Sequence, residues 1–263
     1  MRRILTRLFS FLVVISLGVG ILFFALSGLP QFVPVPEDAV VIGAGDERVA
    51  SMFVRSYQAT YGRWDSIVGV PLADGVATIT VTPTEDAQKQ LQITLALSST
   101  GVEDHMILEA TTLAPVRRTF SFPQGGGQSF IFVGNRIQAS VRSASGTSTR
   151  HDFDYQLRPF EVSVLELPLA ALRLAPGSIG RVAWNNMVAP EELWAQFRVL
   201  GTTRLELDAG EFDTTVVRLR FYDGRMRDYW LSGEPPYKIR MLSYNRGRAL
   251  ASGWQLESYE LLD

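Results

Sequence analysis

Cysteine is absent from all 263 residues. Its absence excludes disulfide staples, thiol nucleophiles, Cys-ligated metals and a lipid-modified N-terminal cysteine. Lysine is nearly absent too, occurring only as Lys89 and Lys238. Arginine supplies the positive charge instead, which reads as codon bias. Histidine occurs twice, at His105 and His151, and a metal centre needs three or four convergent ligands. No excess of positive charge exists either. All 27 acidic residues lie beyond Pro30, with all but three of the 25 basic ones, so that part of the chain is mildly acidic. Nucleic acid demands a basic face and an anionic lipid surface a polybasic cluster, so neither partner is expected there. The motifs G-x-S-x-G, S-x-x-K and H-E-x-x-H are missing, as is EF-hand spacing. No catalytic residue, metal or cofactor is expected, and no period of 20–50 residues marks a solenoid or propeller.

What is present is a long charge-free run. Residues 8–29, LFSFLVVISLGVGILFFALSGL, follow Arg2, Arg3 and Arg7. About twenty apolar residues at a 1.5 Å rise span a hydrocarbon core of roughly 30 Å. The arginines keep residues 1–7 cytoplasmic and send the rest across the membrane. The expectation is a single-pass anchor in the bacterial cytoplasmic membrane, with the C-terminal domain in the periplasm or outside. Cleavage near Ser27, giving a secreted domain, is the alternative, because Ala25-Leu26-Ser27 is a passable signal-peptidase site. Gly18 and Gly20 lack GxxxG spacing. Residues 30–45, with alternate prolines in QFVPVPE, form an extended linker.

Residues 46–263 make the exported domain, with Pro176-Gly177 marking a place where two lobes could divide. Asp46 to Gly62 reads as a short helix capped by Asp46, with Val49, Met52, Phe53, Tyr57 and Tyr61 on one face. A strand with Tyr57, Ala59 and Tyr61 alternating is the other reading. From Val76 the period is two. The stretches 76–82, 91–97, 106–113, 116–122, 129–133 and 136–142 read as strands, with Gly125-Gly126-Gly127 a turn and Gly134-Asn135 a hairpin loop. The glycine run lacks the lysine and helix of a phosphate cradle. Residues 160–174 begin as a strand and end in a leucine cluster. The segments 181–184, 197–208, 212–222, 225–232, 237–244 and 253–262 are further strands. Pro190 to Trp194 reads as one helical turn, Gly201 as a bulge, and Asp223-Gly224 as the strongest hairpin signal. The fold class is all-β and mostly antiparallel, a curved sheet, open barrel or sandwich, preceded by one transmembrane helix.

Two clusters invite function. Aromatic residues crowd the last strands, including Phe212, Phe221, Tyr229, Trp230, Tyr237 and Trp254. They could be packed core, or line a concave groove with Tyr and Trp tips at its mouth. Arg218, Arg220, Arg225 and Arg227 flank the Asp223-Gly224 turn. If both pairs share a face, four guanidiniums could grip an anionic headgroup, with Tyr229 and Trp230 beside them. Otherwise they are a solvated face paired with Asp213, Asp228 or Glu260. His105, in a loop with Glu103 and Asp104, could hold a hard cation weakly. His151 opens HDFD, whose two aspartates point to the opposite strand face.

The stretches Thr112–Arg118, Phe160–Gly177, Ala209-Gly210-Glu211-Phe212-Asp213-Thr214, Tyr229-Trp230-Leu231-Ser232 and Pro236-Tyr237-Lys238-Ile239 resemble an uncharacterised family of bacterial envelope β-domains. The resemblance covers Met106 to the C-terminus. It implies an exported all-β fold, similar to the half-barrels of periplasmic lipid carriers, and no active site. Three readings of function follow. The first is a non-enzymatic binding module for an apolar, lipid-like ligand or an envelope protein. The second is an assembly factor that recruits envelope proteins by strand addition. A hydrolase with a concealed triad ranks last.

Overall fold

The computed structural model describes residue 39 and residues 41–49, 54–67, 70–84, 90–172, 174–185 and 193–262. The expected anchor, 8–29, lies outside them. Among the described residues no helix is long and apolar enough to cross a membrane. Residues Glu37–Asp263 form one compact unit by internal contacts.

Alternation of apolar and polar residues becomes sixteen strands in one sheet. Strand β1 is Val41–Ile42, β2 Tyr57–Ile67, β3 Val70–Pro83, β4 Gln90–Leu97, β5 Val102–Glu109 and β6 Pro115–Ser121. Strands β7 (Gly127–Val133), β8 (Arg136–Arg142) and β9 (Ser148–Asp154) continue the first meander. After β10 (Phe160–Glu161) comes a 3₁₀ turn, Val162–Val164, and the helix α1, Glu166–Ala171. A second meander follows: β11 (Ile179–Asn185), β12 (Leu193–Leu207), β13 (Gly210–Phe221), β14 (Met226–Leu231), β15 (Lys238–Tyr244) and β16 (Leu250–Leu261). The order is β1-β11-β12-β13-β14-β15-β16-β2-β3-β4-β5-β6-β7-β8-β9, so β16 joins the two meanders by pairing β2. All neighbours are antiparallel except β1 and β10, each parallel to β11.

The ladder does not close on itself, yet its β1–β11 end meets β5, β6 and the segment that follows β9 through side chains and loops. Ala44 donates its backbone N–H to the Arg158 carbonyl at 2.8 Å, and Arg158 Nη2 donates to Glu109 Oε1 and to the Pro115 carbonyl, both at 3.1 Å. Tyr155 donates to Asn185 Oδ1 at 3.3 Å. The result is an open barrel: strand pairing bends the sheet around one apolar core, and this seam completes the circuit.

One main core cluster draws on both meanders, with Tyr57, Ile93, Met106, Phe197, Leu219, Tyr229 and Ile239 among its members. Helix α1 packs into it. Glu166, Leu167, Pro168, Leu169 and Ala171 are buried and Ala170 is half-buried, so most of the helix surface faces the interior. Pro168 sits in the first turn, where its missing N–H costs no helical bond. A small second cluster of Phe130, Phe132, Ile137, Ala139 and Tyr155, with Phe153 against it, supports β7–β9 beyond the seam.

Several sequence readings need correction. Tyr57 to Gly62 is strand, not helix: Tyr57, Ala59 and Tyr61 are at most 2 % exposed and point into the core from β2. Their spacing fits both periods, and pairing with β3 and β16 on either side decides for the strand. Val102 to His105 is strand, so Glu103, Asp104 and His105 lie on alternate faces of β5 and cannot converge on a cation. The leucine cluster is α1, and Trp194 lies in β12. The bulge at Gly201 stands, with the register shifting between Val199 and Gly201.

Candidate functional site

Burying a charge is costly unless it is paired and hydrogen-bonded. The interior nonetheless holds two charged clusters, one on α1 and one at the seam. The first centres on Lys238, at the start of β15. Its Nζ donates to Glu166 Oε1 at 3.0 Å, and both side chains are 4 % exposed. The ammonium lies 5.0 Å from the Tyr61 ring centroid and 4.5 Å from that of Trp254. Ring faces carry negative potential, so they replace part of the lost hydration. Tyr61 also donates its hydroxyl to the Lys238 carbonyl at 2.8 Å. Burial drives the Tyr61 and Tyr57 hydroxyls well above the usual phenol range, and the Glu166 charge adds to it.

The second cluster lies at the seam. Arg118, on β6, forks onto Asp104 of β5, with Nε to Oδ1 at 2.8 Å and Nη2 to Oδ2 at 2.5 Å. Its Nη1 donates to Glu161 Oε1 on β10. All three residues are at most 3 % exposed. Burial, reinforced by the Asp104 charge, raises the Glu161 carboxyl above its ordinary value against the pull of Arg118 and the Val162 and Ser163 backbone N–H groups. Burial, with the Glu161 charge, pushes the neighbouring Tyr155 hydroxyl up to about 12.

A raised carboxyl makes the folded state the better proton binder. Glu161's stabilising share is therefore complete below pH 4.5 and is lost as pH rises through its raised value. Glu161→Gln keeps an acceptor for Arg118 and removes the ionisation. We expect the variant's stability, measured by urea denaturation from pH 4.5 to 8, to gain on the wild type as pH rises. Each pH unit over which wild-type Glu161 stays preferentially protonated contributes about 1.4 kcal/mol to that difference.

Beside α1 a half-open cleft indents the domain. A cavity of about 410 Å³ lies between Leu169, Ala170 and Leu174 on the helical side and Thr215, Val217 and Leu231 of β13 and β14 on the other. Ser232, Gly233 and Glu234 complete its lining. Its volume falls within the roughly 300–1,000 Å³ of small-molecule sites.

The arginines expected to converge do not. Arg218 and Arg220 on β13 pair with Asp228 and Met226 across β14, whereas Arg227 pairs with Leu219. Arg218, Arg220 and Trp230 thus share one face by register, and Arg227 and Tyr229 the other. The cause is the turn. Phe221 donates its backbone N–H to the Arg225 carbonyl at 2.9 Å, Gly224 donates to the Phe221 carbonyl at 3.0 Å, and Gly224 has φ of +84°. The loop therefore has three residues, Tyr222 to Gly224, rather than two, and a one-residue slip moves every side chain to the other face. Each arginine also has local business. Arg218 forks onto Asp228, both bonds 2.7 Å; Arg225 Nε donates to Asp223 at 2.6 Å; Arg227 donates to the Tyr229 hydroxyl at 3.4 Å and covers the Phe221 ring. Arg240 lies over the Trp230 ring at 5.6 Å. Among the aromatics, Phe212, Phe221, Tyr229 and Tyr237 are buried core, while Tyr222 and Tyr259 are exposed.

His105 Nδ1 lies 3.2 Å from the Thr94 hydroxyl, and His151 stacks on Phe153 with centroids 6.2 Å apart. Among the described residues no group of three or more His, Asp or Glu could hold a metal ion. Sequence reasoning missed the Lys238–Glu166 pair and the cavity. The available signal was a lone lysine opening an apolar strand in a chain that otherwise uses arginine.

The architecture thus defines a class: a β-barrel-like domain with an internal helix, closed by a charged seam. The chain belongs to the family described as "Protein of unknown function (DUF3108)", which it matches over residues 56–248. The match begins fifty residues earlier than the sequence motifs indicated. No curated protein matches the chain. Among solved structures, the β-barrel-like DUF1849 protein of Brucella abortus is similar at TM-score 0.53 and 6 % identity, over 81 % of this chain and 100 % of that one. A candidate lipoprotein of Parabacteroides distasonis is similar at TM-score 0.33 and 11 % identity, over 79 % and 96 % of the two chains. A candidate exported protein of Bacteroides fragilis with a YmcC-like fold is similar at 0.35 and 10 %, over 78 % and 96 %.

Proposed function

We propose that this protein is a non-enzymatic binding module of the bacterial envelope. Residues 8–29 hold it in the cytoplasmic membrane, N-terminus inside, and the β domain beyond receives an apolar ligand such as a lipid acyl chain. The cavity beside α1 carries this reading. Leu169, Leu174, Val217 and Leu231 give it an apolar wall, and Thr215, Ser232, Gly233 and Glu234 line a polar share of about equal extent. An acyl chain gains about 0.8 kcal/mol for each methylene buried. A few methylenes outweigh the loss of one hydrogen bond at about 1 kcal/mol. Recognition of this kind needs no catalytic motif, in keeping with the sequence.

Ala170 is half-buried on the helical wall of the cleft, so Ala170→Trp places an indole in it. The test compares wild type and A170W, both full-length and purified in mild detergent, for displacement of cis-parinaric acid and for lipid released on denaturation. The anchor contributes equally to both proteins, so the difference belongs to the cavity. We expect at least about a tenfold loss of probe affinity in A170W, equivalent to about 1.4 kcal/mol. Equal binding by the two proteins overturns the reading.

A further inference from the structure

Strand β9 ends the sheet and pairs only with β8 among the described residues. Which of its backbone groups are free follows from the hydrogen bonds at either end of that pair. Ser143 donates to the Thr147 carbonyl at 2.9 Å and Tyr155 to the Asn135 carbonyl at 2.8 Å, in the register that also pairs Ile137 with Phe153 and Ala139 with His151. Bonded pairs alternate in an antiparallel ladder, so Thr149, His151 and Phe153 bond to β8. The N–H and C=O groups of Ser148, Arg150, Asp152 and Asp154 point away from the sheet. All four residues are exposed.

We propose that this edge pairs with β9 of a second copy of the chain, in one register. Two copies run antiparallel about a two-fold axis. Only registers that set free-edge residues opposite each other make bonds. Centring on Arg150 places two arginines face to face, and centring on Asp152 places two aspartates face to face. Centring on His151 sets Arg150 of each copy against Asp152 of the other, with Ser148 against Asp154. That register alone pairs every central charge with its opposite, and cross-strand opposite pairs stabilise a sheet where like pairs oppose it. Asp152 is already oriented on this face by Arg136, whose Nη2 lies 2.6 Å from Oδ2, and by Arg150 at 3.5 Å. These charges would deter a foreign strand, the usual task of charge on an edge, while admitting the chain's own copy. This inference is independent of the cavity and of what it holds.

Because His151 bonds to β8, the two His151 residues form a non-hydrogen-bonded pair on the axis. Their Cα atoms then lie about 4.5 Å apart, within the roughly 4.4–6.8 Å a disulfide spans. The chain has no cysteine, so a single introduced one reports the contact directly. The experiment is oxidation of full-length His151→Cys in native membranes with copper phenanthroline, read as a disulfide-linked dimer. In Thr149→Cys the two sulfurs belong to residues about 14 Å apart in this register and remain uncoupled. Adding Arg150→Asp to H151C turns two attractive pairs repulsive and lowers the crosslink about tenfold. Adding Arg150→Asp and Asp152→Arg together restores it. These positions are exposed, and circular dichroism of each variant verifies the fold. Absence of the H151C dimer, equal crosslinking of H151C and T149C, or indifference to R150D overturns the proposal.

Discussion

Lys238→Met should lower the stability of the domain by about 3–5 kcal/mol, out of the 5–15 kcal/mol typical of folded domains. Methionine keeps the apolar stem against Tyr61 and Trp254 but removes the only ammonium facing Glu166 among the described residues. An ionised carboxylate is then left in the centre of the core, and leaving one partner of a buried pair uncompensated costs far more than the pair itself contributes. Removing the second partner should reverse much of the damage. Lys238→Met with Glu166→Leu replaces the pair by apolar groups of similar size, an exchange that is often neutral. Urea denaturation followed by tryptophan fluorescence measures both. A loss below about 1 kcal/mol in K238M would show that water reaches the pair and that the interior is wetter than its geometry implies. Because the pair ties α1 to β15, K238M should also weaken the probe binding proposed for the cleft that α1 walls.

Legibility in the sequence tracked the range of the interactions involved. Strands β3, β4 and β8 follow from a period of two, which is a property of neighbours. The loop at Gly134-Asn135 and the bulge at Gly201 are equally local. The β2 segment failed because Val49, Met52, Phe53, Tyr57 and Tyr61 satisfy a helical face as well as Tyr57, Ala59 and Tyr61 satisfy a strand. Its partners β3 and β16 are needed to choose, and β16 is the last strand of the chain. The arginine cluster failed by one residue of loop length, the difference between a two-residue and a three-residue turn at Asp223-Gly224. A right hairpin with a wrong parity inverts the face of every side chain after it. Glu166 and Lys238 are 72 residues apart, and no local pattern announces that they meet. The cavity is less legible still, because it is set by what α1 leaves uncovered on β13 and β14.

Arg118→Leu should be at least as damaging as loss of Lys238, and for a second reason besides electrostatics. Arg118 holds two buried carboxylates, Asp104 beside it in the sheet and Glu161 across the seam. Its removal leaves two like charges in the core, each 1 % exposed or less. Breaking one buried pair costs about 3–5 kcal/mol, so the expected loss lies at or above the top of that range. The burden should ease in acid, where a buried carboxyl sheds its charge by binding a proton, and grow as pH rises. The triple change Arg118→Leu, Asp104→Asn and Glu161→Gln removes all three charges and should recover most of the stability. What it should not recover is the seam itself, since the Arg118–Glu161 bond joins β6 to β10 where no ladder does. Hydrogen exchange can separate the two effects. In the triple variant, amides of β10 and β11 should exchange faster than in the wild type while those of β13 and β14 keep their protection. Uniform protection across both regions would mean that the seam closes without its charges, through Arg158 and Tyr155 alone.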